Sequence, residues 1–206
     1  MRIERLENSK RKQERVLVYL EDGSILRITG AELLQFGLYQ GLDLPPETLA
    51  ALEAAARRSD TKRRGANMAA GRMLSKKELT SRLTRKGASP EDAADTADWL
   101  EELGAVDDAV YAGVIARHYG AMGCGAGRVR QELHRRGVPK ELWDEALAQL
   151  PPPEEAIRKF LRTKLRGRPL TPEDSRRMAA ALQRRGFSWQ DIRPALNELG
   201  QEIDEA

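Results

Sequence analysis

The side chains in this 206-residue chain that could do chemistry are basic, and they recur at one spacing. Lys76, Lys77, Arg82, Arg85 and Lys86 stand in one short segment. Arg128, Arg130, Arg135 and Arg136 stand in a second, and Arg176, Arg177, Arg184 and Arg185 in a third. Ammonium and guanidinium groups set out this way suit a polyanion or an acidic protein groove better than turnover. The pairs that close each segment (Arg85-Lys86, Arg135-Arg136, Arg184-Arg185) also have a plainer explanation. A cation in the last turn of a helix offsets the macrodipole by about 0.3–1 kcal/mol. That explanation does not cover Lys76-Lys77, Arg128 and Arg130, or Arg176-Arg177, which fall near the starts of the same segments. Those residues and Arg82 are the expected contacts, with the closing pairs behind them.

Other chemistries are weaker. The run Gly123–Gly127, GCGAG, is glycine-rich like a phosphate loop, but it follows a helical pattern and no Lys-Ser/Thr pair comes after it. It reads as a flexible interhelical turn. Cys124, His118 and His134 do not make a typical zinc set, and the Cys/His pair has no third group to orient it. Trp99, Trp143 and Trp189 read as packing residues. No catalytic set, metal site or cofactor is expected.

The elements that must carry the basic residues are helices in a repeat. LTSRLTRKG (79–87) returns as VRQELHRRG (129–137) and MAAALQRRG (178–186), with the closing glycines 50 and 49 residues apart. Such a period marks tandem helical units. Leu79 and Leu83, Val129 and Leu133, and Met178 and Leu182 form one apolar stripe per helix. Each glycine stops its helix at C′, and Ala88, Val138 or Phe187 follows where a Schellman cap takes an apolar contact. A second helix follows each copy, with Ala93, Ala97 and Leu100, then Trp143, Leu147 and Leu150, then Ile192, Leu196 and Leu199 on one face. Ser75 with Glu78, Ser89 before Pro90, and Asp107 or Asp108 read as helix starts.

Residues 1–60 differ. Arg15–Leu20 and Ile25–Thr29 flank an Asp-Gly turn and predict a hairpin, which Ile3–Leu6 could extend. Thr29 with Glu32 predicts a capped short helix, Pro45-Pro46 a further one, and Met68–Leu74 a separate short helix. The expected architecture is mainly α: an elongated tandem array of three three-helix units, at 61–105, 106–152 and 153–206, preceded by this small β-hairpin element.

Composition agrees. One cysteine excludes an internal disulfide framework, and 33% charged against 5% aromatic residues suits small helical cores. No apolar run reaches membrane length and no signal peptide is visible at the start, so a cytoplasmic location and no membrane partner are expected. The net charge of +3 hides segregation: Lys62–Lys86 holds nine basic residues against Glu78, and Glu91–Asp108 holds eight acidic residues and no base. Glu202, Asp204 and Glu205 make the tail acidic.

These motifs resemble a known family. RMLSKKELTSRLTRKG (72–87) is similar to the pattern of the RecX regulatory family, modulators of the RecA recombinase. The second unit is closer, with Gly104, Asp108, Tyr111 and Ala112, then RVRQEL at 128–133, then Gly137-Val138; Arg136 stands where that family usually has lysine. The likeness spans about residues 62–200. It implies a non-enzymatic protein of three-helix modules, a monomer, that binds RecA filaments on single-stranded DNA along the helical groove. It further implies inhibition of ATP hydrolysis, strand exchange and filament extension, in homologous recombination, DNA repair and the SOS response. A protein that competes directly for single-stranded DNA is the alternative.

Overall fold

The structure, a computed structural model, describes residues 1–9 and 15–204, with side chains described as far as Leu199, so the acidic tail side chains Glu202, Asp204 and Glu205 lie outside the described residues. The chain forms two compact units, Met1–Arg72 with Leu79–Ala105, and Met73–Glu78 with Val106–Ala206.

In the first unit, β1 (Ile3–Asn8), β2 (Arg15–Leu20) and β3 (Ile25–Thr29) make an antiparallel sheet in sequence order. The β2–β3 turn has Gly23 at φ +83°, where glycine alone is unstrained, and the Asp22 carboxylate accepts from the Ser24 N–H at 2.9 Å. Thr29 and Glu32 form the expected capping box of α1 (Gly30–Gln35). Ile3, Val18, Leu20 and Ile28 face inward with Leu38, Leu44 and Leu52 to make the core.

Leu52 lies on α2 (Pro46–Gly71), one helix of 26 residues. The apolar spacing predicts two helices here, the second at Met68–Leu74. The polar run Ser59-Asp60-Thr61 interrupts the apolar stripe without breaking the helix, because those residues are used. Asp60 accepts from Arg63 and Arg64, each at 2.6 Å, and lies 3.7 Å from Arg15 of β2, which is only 6% exposed. Burial alone would raise the Asp60 pKa; the Arg63 hydrogen bond and the charges of Arg64, Arg63 and Arg15 outweigh it and hold it below the usual value. The far part of α2 packs on α4 (Pro90–Glu102) at Gly65, where a Cβ would sit 2.6 Å from Thr96 Cγ2. Ala93, Ala97 and Leu100 are buried as expected, and Ser89 caps α4.

The second unit holds α5 (Asp108–Ala121), α6 (Ala126–Arg136), a 3-10 turn at Lys140–Leu142 and α7 (Trp143–Leu147). Then come α8 (Pro153–Leu165), α9 (Pro172–Arg184) and α10 (Trp189–Asp204). Two cores result, one around Tyr111, Ile115, Val129 and Leu133, the other around Ile157, Leu161, Leu182 and Ile192. The third helix expected to run to Leu150 is shorter, a 3-10 turn and five α-helical residues, and Leu150 ends in a turn on the Leu147 carbonyl. Trp143 packs, its Nε1 donating to the Val138 carbonyl at 3.0 Å. Trp189 does not: it is 51% exposed at the first turn of α10, which corrects the packing reading.

Candidate interaction surface

The repeated helices are α3 (Lys76–Arg85), α6 and α9. Leu79, Leu83, Val129, Leu133, Met178 and Leu182 are all buried. Each helix closes alike: Ala88, Val138 and Phe187 donate to the Leu83, Leu133 and Leu182 carbonyls at 3.0–3.2 Å, with Gly87, Gly137 and Gly186 at positive φ. That is the Schellman closure read from the spacing.

The start of α3 carries the Ser75–Glu78 capping box, and the Asp108 carboxylate accepts from the Lys76 N–H at 2.9 Å. The same start meets the end of α6. Ser75 Oγ donates to the Arg136 carbonyl, and the Lys77 stem lies so close over Gly137 that any Cβ there would collide with it. The Lys77 ammonium is left exposed above this contact.

The start of α6 meets the end of α9 in the same way. α6 begins on Gly125 with no side-chain cap. Its free amides find acceptors elsewhere: Gly125 donates to the Arg185 carbonyl and Gly127 to the Gly186 carbonyl, both at 2.9 Å. A Cβ on Gly125 would lie 2.6 Å from Gly186 O, and one on Gly127 2.9 Å. The GCGAG run is therefore a fixed docking turn rather than a flexible one, and its glycines serve close backbone approach, not phosphate. At both contacts the positive end of one helix dipole faces the negative end of the next. Basic residues at opposite helix ends are thereby brought together, Lys77 with Arg136 and Arg128 with Arg185.

Some of these cations are occupied. Glu132, 4% exposed, sits 3.1 Å from Arg128, 2.6 Å from Arg135 and 3.7 Å from Arg136. Burial would raise its pKa, but the Arg135 hydrogen bond and charge, a Tyr119 hydrogen bond and the Arg128 charge hold it below the usual range. Arg136 also donates to the Tyr111 hydroxyl, which donates to Glu78 at 3.3 Å. Burial, then the Glu78 charge, push the Tyr111 phenol up against the pull of Arg136. Lys76 and Arg82 are half-buried with interactions of their own.

Others face solvent. Arg130, Arg176, Arg177 and Arg184 are exposed and form no ion pair among the described residues. Lys86 is exposed, and its carbonyl accepts from Arg64 at 3.0 Å. Arg85 is exposed and bonds its own helix at Ser81. Arg185 lies over the Phe160 ring, 4.8 Å from its centroid. Spacing did not single out Phe160 or Lys159, Lys164 and Arg168 near it, because they lie on α8 and the loop after it, outside the repeated helix. His118 and His134 are exposed, Cys124 is a free thiol, and no group of three metal-ligating side chains exists among the described residues. No described helix is long and apolar enough to cross a membrane.

Helices that repeat with one buried apolar stripe and one glycine closure define a class of helical-repeat protein. Family models of that kind match here: residues 107–147 match the second three-helix domain of RecX and residues 153–196 the third. The chain is 32% identical over 128 residues to the regulatory protein RecX of Chromohalobacter salexigens, covering 62% of this chain and 84% of that protein. It is 32% identical over 139 residues to that of Chlorobaculum tepidum (65% and 84%), and 29% over 211 residues to that of Lactobacillus delbrueckii subsp. bulgaricus (96% and 75%). A crystal structure of regulatory protein RecX superposes with TM-score 0.76 at 23% identity, covering 95% of this chain and 98% of that one. RecX from Lactobacillus salivarius gives 0.65 at 17%, over 70% and 97%. The chain belongs to the RecX family, and like the relatives so named it is a regulatory protein rather than an enzyme.

Proposed function

We propose that this protein binds RecA filaments on single-stranded DNA and restrains ATP hydrolysis, strand exchange and filament extension. The observation that carries the reading is the repeated head-to-tail contact, which gathers basic side chains at Lys77–Arg136 and again at Arg128–Arg185. A nucleoprotein filament offers phosphates and acidic protein surface along one groove, and a series of cationic junctions matches a repeating anionic partner. The modules act as three units near 61–105, 106–152 and 153–206, each weak alone, and gain avidity by binding side by side. The protein acts as a monomer in the cytoplasm, along the filament's helical groove. Arg130, Arg176, Arg177, Arg184 and Lys77 carry the contacts, since their charged groups face solvent. Arg128, Arg135 and Arg136 contribute charge while held by Glu132.

The test is RecA ATP hydrolysis on single-stranded DNA with this protein titrated in. Inhibition well below one copy per RecA supports filament binding. Inhibition that begins only when the protein saturates the DNA assigns it to competition for the strand instead. No inhibition at any ratio sinks the proposal.

A further inference from the structure

Phe160 is one of three phenylalanines in the chain and sits between two depressions on the domain built from α8, α9 and α10. Its inner edge packs on the Ile157–Leu161 core. The first depression, about 440 Å³, is bounded by the ring, Lys159, Lys164, Arg185 and the α5 end at Met122 and Gly123. The second, about 310 Å³, is also bounded by Phe160 and Lys164, with Arg168, Arg177 and Arg184. Two acids face these hollows. Asp174 is engaged by the Thr171 hydroxyl at 3.0 Å in the α9 cap, and Glu155 stands on the rim of the first. The cations around the ring pair with no carboxylate among the described residues, whereas their neighbour Arg158 holds Glu198 at 2.9 Å. Two of them already lie against the ring: the Arg185 guanidinium at 4.8 Å from its centroid and the Lys164 ammonium at 6.0 Å.

We infer that this face is a direct binding site for single-stranded nucleic acid, with one base stacked on the Phe160–Arg185 pair and the flanking phosphates on Lys159, Lys164 and Arg168. An acidic protein surface would need the cations but would leave the ring and its stacked guanidinium unused. An unstacked base uses both, because aromatic and guanidinium planes are the surfaces on which single-strand binders stack bases. A paired duplex keeps its bases stacked inside and cannot reach the ring. The site deepens the filament reading and rests on it for its biological setting, since a filament on single-stranded DNA presents the same ligand.

The experiment uses the full chain and a fluorescent oligodeoxythymidylate, with RecA absent, so its outcome is independent of whether the protein restrains RecA. Phe160→Leu keeps the buried apolar edge and should weaken binding about tenfold, within the range of one lost base stack. Phe160→Tyr should bind like the wild type. An otherwise identical abasic strand should bind the wild type about tenfold more weakly and bind Phe160→Leu no worse than the base-bearing strand does. The Lys159→Gln, Lys164→Gln double variant should flatten the log–log salt dependence by about 1.4, the slope of two phosphate contacts on a single strand. If Phe160→Leu loses its cooperative melt, the wild-type abasic comparison and the lysine variant still decide. Equal wild-type affinity for abasic and base-bearing strands overturns the inference. So does equal displacement of the strand by polyglutamate at matched charge, which assigns the face to an acidic protein.

Discussion

The N–H of Gly127 donates to the carbonyl of Gly186 at 2.9 Å, fastening the start of α6 to the end of α9. Neither residue has room for a side chain: a Cβ on Gly127 would lie 2.9 Å from Gly186 O, and one on Gly186 would run into the Arg128 backbone. The two glycines are therefore one requirement seen from two sides.

Gly186→Ala should cost about 2–3 kcal/mol, combining the left-handed φ of +89° with the collision at Arg128. Gly167→Ala, at φ +80° with open space around it, isolates the backbone part and should cost about 1 kcal/mol. Urea denaturation of both variants checks the difference; equal losses would mean the docking contact contributes nothing.

Replacing Glu132 removes the anion that Arg128, Arg135 and Arg136 share. Glu132→Gln should destabilise by about 1–3 kcal/mol at neutral pH. The folded pKa of Glu132 is depressed, so its contribution is complete above the ordinary glutamate value of about 4.3 and is lost as pH falls through the lower folded value. Wild type and variant should therefore converge in stability on acidification. A gap that stays constant from neutral pH into strong acid contradicts this account.

Gly65 and Gly71 both lie in α2 and should respond to alanine with opposite signs. Gly65→Ala drives a Cβ to 2.6 Å from Thr96 Cγ2 and should cost about 1–3 kcal/mol despite alanine's better helix propensity. Gly71→Ala meets nothing within 4 Å and should gain up to about 0.5–1 kcal/mol. Thermal melts distinguish the two.

Charge reversal should separate binding from folding. Arg130→Glu, and Arg176→Glu with Arg177→Glu, should weaken inhibition of RecA ATP hydrolysis while leaving stability within about 0.5 kcal/mol. Arg135→Glu sets a second carboxylate beside Glu132 and should lower stability itself, visible as an earlier melt. If the Arg130 and Arg176 variants inhibit like the wild type, those side chains are not contacts.

Local signals carried most of the fold. The i, i+4 pairs Leu79/Leu83, Val129/Leu133 and Met178/Leu182 gave the buried stripe, and the Thr29–Glu32, Ser75–Glu78 and Ser89 caps gave helix starts, because each rests on bonds within one turn. The joining of α2 was missed because Asp60 is stabilised by Arg15, far away in sequence, which periodicity does not register. The docking of Gly125 and Gly127 was missed because its acceptors, Arg185 and Gly186, come some sixty residues later. One signal was available: a helix opening on glycine, with no Ser, Thr or Asp to cap it, needs an acceptor from elsewhere. Nothing local marks Glu132 as buried, since its burial is a tertiary fact; through it, three of the expected contact residues (Arg128, Arg135 and Arg136) are partners in a network.

Because synthesis runs from the amino end, the amides of Gly125 and Gly127 have no protein acceptor in this fold until Arg185 and Gly186 have been added to the chain. Ser75 likewise waits for Arg136. Each of these helix-end contacts is thus made only once the following repeat has been synthesised, although the apolar stripes of α6 and α9 pack within their own cores.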